Sequence, residues 1–508
     1  MKKILGIIVF SLSVTLFLSC ARASQSNEET YINPILGGDY PDPTVVRVDS
    51  DFYMTHSSFN YQPGLAILHS RDLVHWELVS YALDSYLGAV WAPDISYYDG
   101  KYWIYFTVDS VGLPYATWMV WAEHPEGPWS EPKRLETGGS IDPCHVLDVE
   151  TGERWLYMSG GHRIALNKEG TEAVGNLEKI YDGWKIPEDW VYDGFALEGP
   201  KIRHIGDYYY WLNAQGGTAG PPTAHMEVVA RSKSLKGPWE NSPGNPLVHT
   251  YSGDETWWCK GHSSLIDTPE GEWWLVSHAY RKGYVGLGRQ TILEPIFFEE
   301  GWPVAPLGGD VDKPISLPIC VNGKEDIKDR HEYLSAFRIG LDWRFYKEND
   351  PSRIVSNEHG VITIKAKGTK PADASPLLFI AGEEAYEYQV KATLKGNARV
   401  GLVNFYNERF YAGIGYDVHS RFSWRRADER ARSLIEGPST IWLKIRNEDQ
   451  ILTGYYSEDG THWQKQAWGY EVSGYNHNTA GEFQSLLPGL VAIGEGEVTF
   501  EDFNYRKL

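Results

Sequence analysis

Apolar and aromatic residues recur in short runs, and one layout of such runs repeats along the first part of the chain. In each copy a polar residue beside Pro or Gly precedes a strand-forming run, a turn rich in Asp and Gly, and an aromatic and aliphatic run. Turn formers between two β-favouring runs predict a β-hairpin. The five copies are PDPTVVRVDSDFYMTHS from Pro41, APDISYYDGKYWIYFT from Ala92, IDPCHVLDVETGERWLYMSG from Ile141, EGPKIRHIGDYYYWLNA from Glu198 and GHSSLIDTPEGEWWLVSH from Gly261.

The polar residues that begin the copies, here called the opening residues, are 52, 48, 56 and 64 residues apart: Asp42, Asp94, Asp142, Glu198 and His262. Each interval leaves room for further strands, such as HSRDLVHW from His69. Four-stranded units repeated at this period are typical of a β-propeller, so five blades are predicted between residues 31 and 306. The innermost strand of each blade lines the channel, so the opening residues should converge at one mouth. Repulsion among the four carboxylates is unfavourable unless a ligand binds there. The alternative is that some of these residues, Asp94 in particular, do no more than cap turns with their carboxylates.

From Phe337 onward the period is lost, but alternating runs continue. Residues 307–333 are interpreted as a linker, and alternation with turns over residues 334–508 predicts a β-sandwich. The expected fold class is therefore all-β, a five-bladed β-propeller followed by a sandwich. The predicted sandwich strands include Val361–Lys365, Leu377–Ala381, Tyr386–Leu394, Val400–Tyr406, Ile441–Arg446, Ile451–Tyr456 and Val498–Tyr505.

Composition narrows the classes of function. Lys and Arg number 47 against 68 Asp and Glu, a formal charge of −21, which argues against binding nucleic acid or an anionic membrane by charge. The aromatic share of 14% fits either a β-rich core or platforms for sugar rings. We assign to blade packing the tryptophans on the second strand of each hairpin: Trp103, Trp155, Trp211, Trp273 and Trp274.

The N-terminus predicts export. Residues 1–20 combine two lysines with an apolar run from Ile4 to Leu18, a signal pattern too short for a membrane span. Leu18-Ser19-Cys20 fits a lipoprotein signal with an acylated Cys20, whereas Ala21-Arg22-Ala23 fits ordinary cleavage. We expect a periplasmic protein or an outer-membrane-anchored lipoprotein of a Gram-negative bacterium, with no transmembrane segment. Cys144 and Cys259 are interpreted as buried free thiols, with a bridge between them as the alternative.

At the opening residues the sequence resembles glycoside hydrolase family 43. The resemblance covers about residues 31–306, with its short motifs in order. They are NPILGGDYPDPTVVRV around Asp42, Trp91-Ala92-Pro93, Asp142-Pro143, Glu198-Gly199-Pro200, KGHSSLIDTPEGEWWLV with His262 and GLGRQTILEP with Arg289. The C-terminal runs resemble, more loosely, the concanavalin-like sandwich of the β-xylosidase and arabinofuranosidase branch of that family.

The resemblance implies hydrolysis with inversion at the anomeric carbon. Asp42 would be the general base that activates water, and Glu198 the general acid that protonates the leaving oxygen. Asp142 would orient Glu198 and keep its pKa high, which fits the effect of a neighbouring like charge. Inversion needs two carboxyl groups far enough apart for a water molecule, as opposite sides of a funnel provide.

The substrate-binding candidates are Phe59 and Trp91 as sugar platforms, Arg289 as a bidentate donor, and His225 on a Gly/Pro loop. His262 has two interpretations, since the matching histidine helps to hold calcium in some family members and touches sugar in others. No cofactor is expected to be required, and no metal site is predicted. Calcium binding is kept as an alternative, although the sequence shows no loop of the oxygen ligands that calcium prefers.

We therefore expect an exo-acting enzyme that releases terminal α-L-arabinofuranosyl residues from hemicellulose side chains of plant cell-wall polysaccharides or oligosaccharides. The alternatives are a β-D-xylosidase acting on xylo-oligosaccharides, an endo-arabinanase, and a carbohydrate-binding propeller without catalysis. One cluster has no part in this scheme and is interpreted as a solvated face or a salt-bridged strand edge: Arg421, Arg425, Arg426, Arg430 and Arg432.

Overall fold

The structure, a computed structural model, describes residues 29–308, 311–320, 330–348 and 350–508. It confirms the all-β fold class, with a five-bladed propeller and a C-terminal sandwich. The predicted signal of residues 1–20, with Cys20, lies outside the described residues. None of the helices in the described ranges is long and apolar enough to span a membrane.

Each blade is an antiparallel sheet whose strands follow one another from the channel outward. A short strand β1 (Thr30–Tyr31) precedes the blades. The basic pattern is four strands per blade, and the fourth blade has one additional two-residue strand. The first two blades are β2 (Thr44–Val48), β3 (Asp51–Thr55), β5 (Gly64–Ser70) and β6 (Glu77–Leu83), then β7 (Ala89–Tyr98), β8 (Lys101–Asp109), β9 (Ala116–Ala122) and β10 (Lys133–Leu135). Strand β4 (Tyr61–Gln62), in the connection between β3 and β5, is not part of the blade sheet. The third blade is β11 (Cys144–Leu147), β12 (Arg154–Met158), β13 (His162–Leu166) and β14 (Ala173–Lys179). The fourth is β15 (Leu197–Ile205), β16 (Tyr208–Gln215), β17 (Met226–Ser232), β18 (Glu240–Asn241) and β19 (Val248–His249). The fifth is β20 (Trp257–Asp267), β21 (Trp273–Arg281), β22 (Arg289–Glu299) and β23 (Trp302–Val304).

The hairpins form where the sequence predicts them. Between β7 and β8 the turn residues Asp99 and Gly100 have φ values of 52° and 73°, the left-handed pair that a two-residue hairpin turn requires. The second strands supply the cores between blades, since Trp211 is fully buried and Trp103 and Trp274 nearly so. Cys144 and Cys259 are buried free thiols, as predicted.

The ring is closed by residues from both ends of the propeller. Strand β24 (Ile315–Ser316) lies in the segment interpreted as linker, yet it pairs with β1, because its Ile315 is apolar and buried. The segment after β1 pairs with the fifth blade, where the N–H of Ile35 donates to the carbonyl of Thr291 at 3.0 Å. The polypeptide just before Asp42 is therefore fixed to the last blade.

The sandwich has two sheet faces, and two long strands belong to both of them. Among the described residues, two short α-helices, α1 (Arg330–Ser335) and α2 (His477–Ala480), and three 3-10 turns (Val285–Leu287, Pro351–Arg353 and Pro371–Asp373) complete the fold. The strands are β25 (Arg344–Tyr346), β26 (Ile354–Glu358), β27 (Val361–Lys365), β28 (Leu377–Leu378), β29 (Tyr386–Asn407), β30 (Phe410–Asp417), β31 (Ser420–Arg425), β32 (Asp428–Leu434), β33 (Thr440–Glu448), β34 (Ile451–Ser457), β35 (Gln464–Glu471) and β36 (Leu487–Lys507).

Two predicted strands prove to be one. The polar stretch between Leu394 and Val400 does not end the strand, because β29 runs on for 22 residues. It bends at Gly396, with φ of 75°, which is paired with Gly496 on β36. The first half of β29 pairs with β33 and the second half with β30, so the strand passes from one face of the sandwich to the other.

The propeller and the sandwich share main-chain pairing. Strand β4, between the second and third strands of the first blade, pairs with β25 of the sandwich, with Phe345 opposite Gln62 and Tyr346 opposite Tyr61. Because β4 follows directly on the residues that surround Asp42, this pairing fixes the sandwich next to the mouth of the channel.

Candidate active site

One left-handed residue lies at the channel mouth in each of the five blades. These residues, with φ between 27° and 56°, are Asp42, Ala92, Asp142, Gly199 and His262. Residues that carry a Cβ atom rarely adopt the left-handed backbone conformation. Four of these five residues directly precede Pro. Asp42, Asp142 and His262 occupy the position itself, whereas Glu198 lies one residue before it and Asp94 two residues after it.

Asp94 consequently differs from the other opening residues. It lies below the mouth in an ion pair with Lys201, whose Nζ is 2.9 Å from Asp94 Oδ1. The N–H of His145 donates to Asp94 Oδ2 at 2.9 Å, and the Thr44 hydroxyl donates to Oδ1. The Lys201 cation thus relieves the repulsion expected of the Asp94 carboxylate, and Asp94 joins its own blade to three others.

Asp42 has more hydrogen-bonding and charged partners than the other carboxylates at the mouth, and it is only 4% exposed. Arg289 Nη1 donates to its Oδ1 at 2.6 Å, and the Ser57 hydroxyl donates to its Oδ2 at 2.5 Å. The Asp42 N–H donates to Nδ1 of His278, which leaves the proton of that imidazole on Nε2, beside Thr218. Burial is the largest influence and opposes ionisation of Asp42, but the Arg289 guanidinium together with His262 and His278 holds the pKa of Asp42 well below its usual value.

Asp142 and Glu198 form a second, interacting pair of carboxyl groups. Asp142 Oδ2 accepts from the Gly199 N–H at 3.0 Å and from the Ser159 hydroxyl at 2.9 Å, so Asp142 fixes the backbone that carries Glu198. Glu198 is half-buried, and its side chain has no hydrogen-bonding partner among the described residues. Its carboxyl group is thereby left for a ligand.

The pKa values of Asp142 and Glu198 indicate that at neutral pH the two carboxyl groups together hold one proton. Burial raises the pKa of Asp142 to about 6, although the Gly199 N–H opposes the shift. Burial, followed by repulsion from Asp142 and Asp42, raises the pKa of Glu198 to about 8. Near pH 7 the mouth therefore holds ionised Asp42 and protonated Glu198, the states of a general base and a general acid.

The histidines of the mouth are neutral and support Asp42. Burial lowers the pKa of His262 to about 4, and its Nδ1 lies 3.2 Å from Asp42 Oδ1. His225, predicted to border the pocket, is instead fully buried behind the site, stacked on His278 at 5.3 Å. Its Nδ1 donates to the Gly216 carbonyl, so the structure places His225 under His278 rather than at the pocket wall.

The residues fit calcium poorly. Ligand atoms of Asp42, His262 and His278 lie within 4.8 Å of one another. Calcium prefers six to eight oxygen ligands, whereas this group offers two imidazoles and a carboxylate already paired with Arg289. We interpret the group as a hydrogen-bonded support of Asp42.

Aromatic side chains from both domains enclose the mouth. The Phe59 ring is 5.7 Å from the Arg289 guanidinium, and Trp91 contacts Tyr115 at 5.3 Å. The sandwich contributes Phe483, which lies 5.7 Å from the Arg289 guanidinium and 5.8 Å from the Trp91 ring. A pocket of about 520 Å³ extends from these rings toward Tyr86, Val111 and Lys347.

Several of these residues are absent from the sequence prediction. Ser57, Ser159 and His278 are each the last polar residue of a repeat copy, and the backbone pairs two of them with the start of the same copy, Ser57 with Pro41 and Ser159 with Ile141. The end of each hairpin was therefore an available signal. No such sequence signal identifies Phe483, because it lies in another domain far along the chain.

An ionised carboxylate and a protonated carboxyl group at one channel mouth, with aromatic rings around it, are the groups that a glycoside hydrolase site requires. Comparison with known proteins agrees. Residues 31–303 match the Glycosyl hydrolases family 43 profile, and residues 335–506 match the Beta xylosidase C-terminal Concanavalin A-like domain. The chain belongs to glycosyl hydrolase family 43.

Curated relatives carry two kinds of name. The chain is 33% identical over 347 residues to the Non-reducing end alpha-L-arabinofuranosidase BoGH43B of Bacteroides ovatus, covering 63% of this chain and 62% of the relative. It is 33% identical over 330 residues to the Beta-xylosidase of Bacillus subtilis, covering 56% of this chain and 59% of the relative. The chain thus spans about three fifths of the length of these two relatives. It is 36% identical over 539 residues to a Putative beta-xylosidase of Escherichia coli, covering 93% of this chain and 98% of the relative.

Solved structures share the two-domain arrangement. The GH43 protein BlXynB of Bacillus licheniformis superposes with a TM-score of 0.83 at 26% identity, covering 94% of this chain and all of that chain. The Xyloglucan PUL GH43B of Bacteroides ovatus gives a TM-score of 0.82 at 25% identity with the same coverage.

Proposed function

We propose that the protein is an exo-acting, inverting glycosidase that releases terminal α-L-arabinofuranosyl residues from hemicellulose of plant cell walls. The observation that carries the proposal is the pairing of ionised Asp42 with protonated Glu198 in a mouth that the sandwich residue Phe483 partly covers. A mouth covered on one side favours chain ends over the open groove that an endo-acting arabinanase needs.

In the proposed reaction Asp42 removes a proton from the attacking water, and Glu198 protonates the leaving oxygen. Arg289 and Ser57 fix the Asp42 carboxylate, so its free lone pairs face the water. Asp142 orients Glu198 through the Gly199 N–H and, as an anion, keeps the Glu198 proton in place until transfer. Phe59, Trp91 and Phe483 supply apolar faces for the sugar ring.

The arabinose preference is supported by the likeness to the Bacteroides ovatus arabinofuranosidase. A β-D-xylosidase is the second candidate, favoured by the match along 98% of the putative Escherichia coli β-xylosidase. Export through residues 1–20, with lipid anchoring at Cys20, belongs to the proposal, because hemicellulose lies outside the cell.

The test is a panel of aryl pentosides and natural arabinoxylo- and xylo-oligosaccharides, scored for the monosaccharide released. We expect arabinose from chain ends and, in proton NMR, first release of the inverted anomer. Dominant xylose release would overturn the arabinose preference, and internal cleavage would overturn the exo assignment. A retained anomer would contradict the roles of Asp42 and Glu198, and binding without release would favour a carbohydrate-binding propeller.

A further inference from the structure

The arginine cluster of the sandwich divides into two groups. Three of its members are held by acidic or polar side chains: Arg421 by Gln464 and Glu458, Arg430 by Asp428, and Arg432 by Asp417 and Glu429. The side chains of Arg425 and Arg426 are exposed and have no ion pair or hydrogen bond in the described part of the chain. The expectation of a salt-bridged edge therefore holds for only part of the cluster.

The two unpaired arginines share an open groove with an exposed tryptophan. Arg425, Arg426 and Trp468 line the groove, which measures about 650 Å³, and the Trp468 side chain is 64% exposed. An indole this exposed contributes little to the core, whereas its flat face suits a sugar ring.

The groove has a rigid floor. The Tyr470 hydroxyl lies 2.6 Å from Ser423 Oγ, which ties β35 to β31 beneath the groove. The Tyr475 hydroxyl accepts from the N–H of Arg426 at 2.8 Å and fixes the turn between β31 and β32. The tryptophan and the arginines are thus presented by strands that are held together.

Charge favours an anionic ligand at this groove. The chain as a whole carries a formal charge of −21, which opposes the binding of polyanions in general. Here three arginines line the groove with only Asp428 among them, and Asp428 is paired with Arg430. Glu471 is a further nearby acid, and it faces the charges of both Arg425 and Arg426.

We propose that this groove is a carbohydrate-binding site, separate from the catalytic mouth, for polysaccharide chains that carry uronic acid groups. Trp468 stacks on a sugar ring of the chain, and Arg425 and Arg426 bind the carboxylate of a uronic acid substituent. The site holds the enzyme on an acidic polymer whose neutral termini enter the mouth. The inference depends on membership of the glycosidase family, and it is independent of which pentose is released.

The test uses the full chain with Glu198→Gln, which stops hydrolysis during binding. Affinity electrophoresis compares a uronic-acid-bearing xylan with the same polymer after chemical reduction of its carboxyl groups. We expect binding to the native polymer that weakens with salt, and about tenfold weaker binding of the reduced polymer. Trp468→Ala, and separately Arg425→Ala with Arg426→Ala, each lower the affinity for the native polymer about tenfold.

The matched control is the double variant Lys133→Ala with Arg134→Ala, which removes two adjacent exposed cations from the second blade. The control variant should bind the native polymer as tightly as the parent does. An equal loss of affinity in the control would show that overall charge, and not this groove, causes the binding, and it would overturn the proposed site. Equal binding of native and reduced polymers would overturn the carboxylate assignment. A dimer that dissociates in the Trp468 variant, without polymer binding, would identify the groove as a contact between copies and overturn the proposal.

A last measurement separates this site from the mouth. With Glu198 restored, the groove variants should hydrolyse a small aryl pentoside at the parental kcat/KM. If no glycoside is hydrolysed by the parent while polymer binding persists, the proposed function fails and the groove stands. If hydrolysis is intact and polymer binding is absent, the groove proposal alone fails.

Discussion

The imidazole of His262 occupies the space in which a side chain at position 199 would begin: its Nε2 lies 2.5 Å from the point where a Cβ of Gly199 would lie. Gly199 also has φ of 55°, a left-handed conformation that disfavours a Cβ. The glycine beside Glu198 thus allows the histidine of the fifth blade to reach Asp42.

Replacing Gly199 by alanine should therefore damage both stability and the site. Gly206→Ala is the matched control, because Gly206 has φ of 60° in the same blade with nothing within 4 Å of its added Cβ. The control should lower the free energy of unfolding by about 1 kcal/mol. Gly199→Ala should lower it by about 2–4 kcal/mol and also reduce kcat/KM, because His262 must shift. Equal losses in denaturant melts of the two variants would contradict this account.

The sequence predicts most of this arrangement, and the parts it misses have physical causes. Repeat spacing identifies Asp42, Asp142, Glu198 and His262, because strand pairing converts a regular period into radial symmetry. For Asp94 the sequence leaves two interpretations open, because the displacement of its carboxylate by two residues from the left-handed position is not visible in the period. Phe483 depends on how two domains dock, and no local pattern encodes that contact.

Glu198→Gln should lower turnover by about 10²–10⁴-fold while leaving the melting temperature nearly unchanged. The amide cannot supply a proton, and the Glu198 side chain makes no hydrogen bond within the described residues that the substitution would break. Asp42→Asn should be as inactive but less stable, because it leaves the buried Arg289 charge uncompensated. Wild-type turnover in folded samples of both variants would refute the assignment; the exposed Glu150→Gln is the control.

The pH dependence of kcat/KM should fall on the alkaline side with an apparent pKa near 8. The active form needs protonated Glu198, whose pKa is raised to about 8 by burial and by the charges of Asp142 and Asp42. Asp142→Asn removes one of those charges, so the alkaline limb should move to lower pH, although burial keeps it above the usual pKa of Glu. An alkaline limb at the same pH in both enzymes would show that Asp142 does not tune Glu198.

Arg289→Gln should move the acidic limb of the same profile upward. Burial favours the neutral form of Asp42, and the Arg289 guanidinium is the main group that opposes it. Without that charge the pKa of Asp42 rises, so activity at low pH is lost first and partly returns as the pH increases. Arg289→Lys keeps the charge and should retain more of the activity at low pH; a uniform loss at every pH in both variants would indicate a role in sugar binding alone.

Phe483→Ala tests whether the sandwich takes part in substrate binding. The ring projects from a segment of the sandwich, stacks on His477 at 4.2 Å and meets Trp91 and Arg289 over the mouth. Its removal should raise KM for terminal pentosides about tenfold with a smaller change in kcat, because the ring contributes contact area rather than protons. Phe297→Ala, at a 60% exposed phenylalanine on β22, should leave both constants unchanged. If Phe483→Ala lowers only the melting temperature, the sandwich stabilises the propeller without shaping the pocket, and the mouth must then be closed to internal sugar units by the blade loops alone.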